Sequence, residues 1–187
     1  MLCSCARDSI TPICPAVAPG DLVISELRGA QSGGGADTWG AWVELYNASG
    51  APLDLEGLHV VFTRLDGGAI SRAIVRRPLP LAAGGYVVIG RDADDARPPR
   101  VDYGMGTDFA DSFYTAAHVA VLACDVAIDE LTYPSLPTQG TRALGAHPPD
   151  ATANDDAARW CVDAQANTDP TQHGLPGSPG AENPPCT

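Results

Sequence analysis

Two neighbouring stretches leave this chain few ways to fold: Trp42-Val43-Glu44-Leu45-Tyr46-Asn47, and then Leu53-Asp54-Leu55-Glu56-Gly57-Leu58. The first is rich in aromatic and β-branched residues, which suit a half-buried strand. It runs into Asn47-Ala48-Ser49-Gly50, a cluster of turn formers. In the second, Leu53 and Leu55 alternate with Asp54 and Glu56, so the leucines face one way and the carboxylates the other. Gly57 can take φ > 0 and bend the chain into the next strand, His59-Val60-Val61-Phe62-Thr63. The pattern reads as strand, tight turn, short ledge, strand.

The rest of the chain repeats that pattern of short strands and turns. Asp21–Leu27 reads as a first strand and Gln31–Gly40 as a Gly-rich loop with no Lys and no helix after it, so not a phosphate-cradling loop. Gly57–Arg64 and Ala69–Val75 form a hairpin around Asp66-Gly67-Gly68. Tyr86-Val87-Val88-Ile89 is apolar on both parities, as expected of a strand covered on both faces. Further strands are predicted over Ala116–Ala123, Val126–Tyr133, Thr141–Leu144 and Trp160-Cys161. Val101–Ser112 and His147–Ala158 read as irregular, and Asp163–Thr187 as an irregular tail. About seven to eight short strands with no helical period favour an antiparallel β-sandwich with irregular terminal extensions. The organisation expected is a leader over residues 1–20 and one domain over 21–187.

Composition narrows the function classes. With 20 Gly and 17 Pro, long helices are disfavoured. All 11 basic residues are Arg, and the formal charge is −12, which opposes general binding to nucleic acid or an anionic membrane. Missing Lys, together with abundant Ala, Gly, Pro and Asp, points to a GC-rich bacterial coding sequence. No apolar run approaches the roughly 20 residues of a membrane-spanning helix.

The 6 cysteines are even in number and lack paired C-x-x-C spacing, so disulfides are favoured over zinc, and an exported location with them. Cys161 and Cys186 flank the irregular tail; a bridge between them would pin it, leaving Cys14 with Cys124 as the remainder. The alternatives are three bridges using all the cysteines, or a reduced, buried Cys124. Leu2-Cys3-Ser4-Cys5 is similar to a bacterial lipobox without its preceding apolar segment, which would make Cys5 a lipidation site.

Five ordered segments carry a resemblance: Leu22-Val23-Ile24-Ser25-Glu26, the two opening stretches, Leu81-Ala82-Ala83-Gly84-Gly85-Tyr86-Val87-Val88, and Pro176-Gly177-Ser178-Pro179-Gly180-Ala181-Glu182-Asn183. Over residues 20–185 the chain resembles a lamin tail domain in its bacterial exported form. The resemblance implies an immunoglobulin-like sandwich, no catalytic centre, and a binding or scaffolding role. It does not carry over a partner, which is expected to be a protein or a surface polymer.

Other constellations offer groups with chemical potential. Glu26 and Glu44 lie in otherwise apolar strands. Paired carboxylates can do acid/base work in a hydrolase together with loop carboxylates, or they can accept hydrogen bonds from backbone N–H groups or from Arg, or simply face solvent. Arg64, Arg72, Arg76 and Arg77 fall in one hairpin opposed only by Asp66, a candidate polyanion or nucleic-acid patch. Asp92-Ala93-Asp94-Asp95 and Asp150 with Asn154-Asp155-Asp156 offer hard oxygens to calcium, without an EF-hand pattern. His59, His118, His147 and His173 lack catalytic-metal spacing, and no Ser has a G-x-S-x-G context. Asn47-Ala48-Ser49 fits a glycosylation sequon or merely a turn. The leading expectation is a non-enzymatic binding or scaffolding module at the cell surface.

Overall fold

The structure is a computed structural model that describes residues 13–32, 40–108, 114–164 and 177–186. It is an all-β sandwich. The larger sheet has the order β12-β11-β1-β2-β7-β8, from β1 (Leu22–Arg28), β2 (Trp42–Asn47), β7 (Tyr86–Gly90), β8 (Tyr103–Gly104), β11 (Thr141–Leu144) and β12 (Trp160–Asp163). The smaller has the order β10-β9-β4-β5, from β4 (Leu58–Arg64), β5 (Ile70–Ile74), β9 (Ala117–Ala123) and β10 (Val126–Tyr133). A third, two-stranded sheet joins β3 (Leu53–Asp54) to β6 (Pro80–Leu81). Every strand pair is antiparallel except β7 with β8.

The strand count exceeds the expected seven to eight because β3, β6 and β8 are two residues each, too short to show a period. β8 and a 3-10 turn at Gly106–Asp108 replace the irregular segment expected after Val101. Likewise, the expected loop at 147–158 contains a one-turn helix, α1 (Ala151–Asn154), and a 3-10 turn at Ala157–Arg159. Asp150 and Asp156 cap these two turns by accepting backbone N–H bonds.

Between the two main sheets, Leu27, Val43, Leu45 and Ile89 meet Val60, Phe62, Val119, Val121 and Leu131 in one buried cluster. Each large aliphatic or aromatic side chain there contributes about 1.5–3 kcal/mol by leaving water. At the ledge, Gly57 has φ +87°, and a Cβ would lie 2.1 Å from the carbonyl oxygen of Ile13. Only glycine fits both conditions.

A β-bulge sits in β1 between Ile24 and Glu26. There Asp129 of β10 reaches across to accept the Ile24 N–H at 2.6 Å. Asn154 donates to the same carboxylate at 2.5 Å and to the Ile24 carbonyl at 3.4 Å. This buried link ties the edge of the smaller sheet to the middle of the larger one. Residues 13–20 are also attached to the sandwich: Gly20 N–H donates to the Ile128 carbonyl at 2.8 Å, and Val17 packs on the core.

Candidate functional site

The register of the larger sheet places Cys161, Ala143, Glu26, Glu44 and Val88 in one row. Strand alternation turns this row away from the sandwich interior. Residues 177–186 lie over it as a strap. Glu44 accepts the Ser25 hydroxyl at 2.7 Å and the Gly180 N–H at 2.6 Å. Glu26 accepts the Thr141 hydroxyl and, at 3.2 Å, the Ser178 N–H. Ser178 donates its hydroxyl to Asp163, and Asn183 donates to the carbonyls of Ser25 at 2.9 Å and Leu144 at 3.3 Å. At Gly177 a Cβ would lie 2.7 Å from Thr141 Cγ2, so the strap runs close against the sheet.

Both glutamates are fully buried, at 0% exposure. Burial pushes Glu26 up to about 8, against the opposing pull of its Thr141 and Ser178 bonds. Burial, and then the neighbouring Glu26, raise Glu44 well above the usual carboxyl range. Both carboxyls accept N–H bonds from the strap, and neither is open to solvent. Together, Glu26, Glu44 and residues 177–186 form a structural clasp.

The cysteine pairs tie both ends of the described chain into the sandwich. Cys161 in β12 is bonded to Cys186 at the end of the strap, with Cα atoms 5.6 Å apart. Cys14 is bonded to Cys124, with Cα atoms 5.5 Å apart, at the β9–β10 turn. Cys3, the candidate lipidation residue Cys5 and His173 lie outside the described residues.

Three of the four hairpin arginines are matched by acids. Arg64 pairs with Asp66 at 2.6 Å and stands over the Tyr114 ring. Arg76 pairs with Asp108. Arg77 grips Asp94 through two nitrogens, at 2.7 and 2.8 Å, and lies 5.1 Å over the Tyr103 ring. The Arg77 hydrogen bond pulls Asp94 down to about 2. Arg72 alone is exposed with no ion pair among the described residues. The candidate polyanion patch thus holds acids beyond Asp66, because Asp94 and Asp108 arrive from distant loops.

The candidate calcium loops are similarly committed. Asp94 serves Arg77, Asp150 and Asp156 serve as caps, and Asn154 is buried. Among the described residues no group of three acidic, His or Cys side chains is arranged to hold a metal ion. Asn47, the sequon residue, is buried and donates to the carbonyls of Ala51, Leu81 and Ala82 at 2.8, 3.2 and 3.0 Å, so its amide closes the turn.

One open cleft was not anticipated. It lies between β10, β11 and the α1 turn, and His118, Glu130, Thr132, Arg142, Asn154 and Asp155 are among its lining residues. The Arg142 guanidinium stacks 5.2 Å above the Trp160 ring. Trp160 is fixed in turn by its indole N–H, which donates to the Asn154 carbonyl at 2.7 Å. A lone Arg in a four-residue strand carries no local sequence signal.

Compared with models of known protein families, the chain matches none. A search of curated protein sequences likewise returned no match.

Proposed function

We propose that this chain is an exported, non-enzymatic module of the lamin-tail kind, with an immunoglobulin-like sandwich that binds or spaces other molecules at the cell surface. The observation that carries this reading is the clasp: the two carboxylates best suited to catalysis are sealed beneath residues 177–186 and spend their oxygens on Ser25, Thr141, Ser178 and Gly180. Two disulfides support an oxidising, extracytoplasmic setting. Among the described residues no helix is long and apolar enough to cross a membrane. The described part of the last segment that carries the family resemblance, residues 177–183, supplies the strap that holds the clasp shut.

Fractionation of the source cell, with the cysteines alkylated before reduction, tests this reading. The expected result is protein in the envelope or medium with Cys14, Cys124, Cys161 and Cys186 all protected. Cytoplasmic protein with alkylated thiols would end it. Crosslinking and pull-down from intact cells would then identify the molecule it contacts.

A further inference from the structure

We propose that the cleft between β10, β11 and the α1 turn binds a small hydroxycarboxylate, such as a uronic acid unit, with Arg142 holding its carboxylate. Arg142 is half-buried, and its Nε is buried without a hydrogen-bond partner. Among the described residues no acid pairs with it, in a chain that has 23 Asp and Glu. The covered Nε lacks an acceptor, and a planar carboxylate is the group whose geometry matches a guanidinium edge. The ring of Trp160 holds the fork in place from behind, so little side-chain freedom remains to be lost on binding.

The other lining groups select what the carboxylate is attached to. Glu130 and Asp155 present acceptors, and a bare dianion such as phosphate would be repelled by them. His118 Nδ1 lies 3.2 Å from the Thr132 hydroxyl, and its Nε2 lies 3.7 Å from Glu130, so that wall both donates and accepts. Asn154 lines the same cleft, with its Oδ1 buried and unpartnered. A monoanion flanked by hydroxyl donors satisfies the guanidinium and the acceptors together. At about 230 Å³ the cleft is below the range of drug-sized pockets and suits a single small ring. This assignment names a ligand class for the surface-binding role proposed above, and rests on that role only for its setting.

The test is an NMR titration of the intact, oxidised chain with glucuronate, galacturonate, methyl glucoside, alanine and inorganic phosphate. Expected are saturable shifts at Thr132, Arg142 and Asp155 with either uronate in the millimolar range. Methyl glucoside and phosphate should bind at least about tenfold more weakly, a difference of about 1.4 kcal/mol. Arg142→Gln should lose at least that factor with its spectrum otherwise retained. Thr132→Val, an exposed change that spares the fold, should weaken the uronates severalfold. Uronates that leave the cleft resonances unmoved up to tens of millimolar overturn the site. So does binding that survives both substitutions, and binding of alanine without either uronate overturns the hydroxycarboxylate. Export and surface exposure, read on the same source cells, report on the surface role and not on the cleft.

Discussion

Glu26 stands directly opposite Glu44 across the β1–β2 pair, and neither carboxyl is open to solvent. Burial disfavours a charge on either, and two like charges placed that way would repel, so both carboxyls keep their protons above the usual carboxyl range.

The stability of the fold should therefore fall as pH rises. The unfolded chain gives up the Glu26 proton near the ordinary value of 4.5, whereas the folded chain keeps it to about 8. Asp129, raised by burial from 3.8 to about 6, adds in the same direction. Each retained proton costs the folded state about 1.4 kcal/mol per pH unit inside its window. On the acid side, Asp94 loses its contribution as pH drops from 3.8 towards about 2. Urea midpoints measured between these limits should peak at about pH 4 and decline towards 8. Glu26→Gln should flatten the decline, since the amide is neutral throughout. A midpoint that climbs from pH 4.5 to 8 would show that the pair is charged in the fold.

Asp129→Ala should be among the costlier single changes outside the apolar core. It removes the acceptor of both the Ile24 N–H and the Asn154 amide, all buried. A loss of about 2–4 kcal/mol is expected. Asn154→Ala should cost less, and the double variant less than the sum, because both break one link. Additive losses in chemical denaturation would mean that the two side chains act separately.

Replacing Cys161 and Cys186 by Ser should loosen the strap before it loosens the sandwich. Their 25-residue separation corresponds to about 3.5 kcal/mol in the chain-entropy account. Amide exchange should accelerate at Ser178 and Gly180 while β9 and β10 stay protected. The Cys14–Cys124 pair spans 110 residues, and its removal should cost more, nearly 5 kcal/mol (roughly). Equal exchange throughout in the first variant would contradict a separately anchored strap.

Gly57→Ala and Gly50→Ala separate strain from collision. Both sites have positive φ, at +87° and +74°, but only at Gly57 does a Cβ meet neighbouring backbone, while around Gly50 nothing lies within 4 Å. The Gly50 change should cost about 1 kcal/mol and the Gly57 change clearly more. Matching thermal shifts would remove the close approach of Ile13 from the account.

The sandwich was legible because its long strands carry their own period: Trp42–Asn47, Leu58–Arg64 and Ala117–Ala123 all alternate or run apolar over several residues. The two-residue pairings could not be seen, since two residues define no period. Glu26 and Glu44 were visible as charges in apolar strands. Their meeting was not, because it depends on the bulge beside Ile24 and on a strap more than a hundred residues away in sequence. The acids facing the arginine hairpin were hidden for the same reason, since Asp94 and Asp108 reach it only through tertiary folding. Arg142 gave no sign at all; its interest lies in what its surroundings omit.

The placement of the two disulfides also fixes how the molecule carries tension. A pull applied at Cys14 passes covalently into the smaller sheet at Cys124, and a pull at Cys186 passes into the larger sheet at Cys161. While both bonds hold, residues 15–123 and 162–185 lie off the line of force between Cys14 and Cys186, and only the stretch from Cys124 to Cys161 can be drawn out.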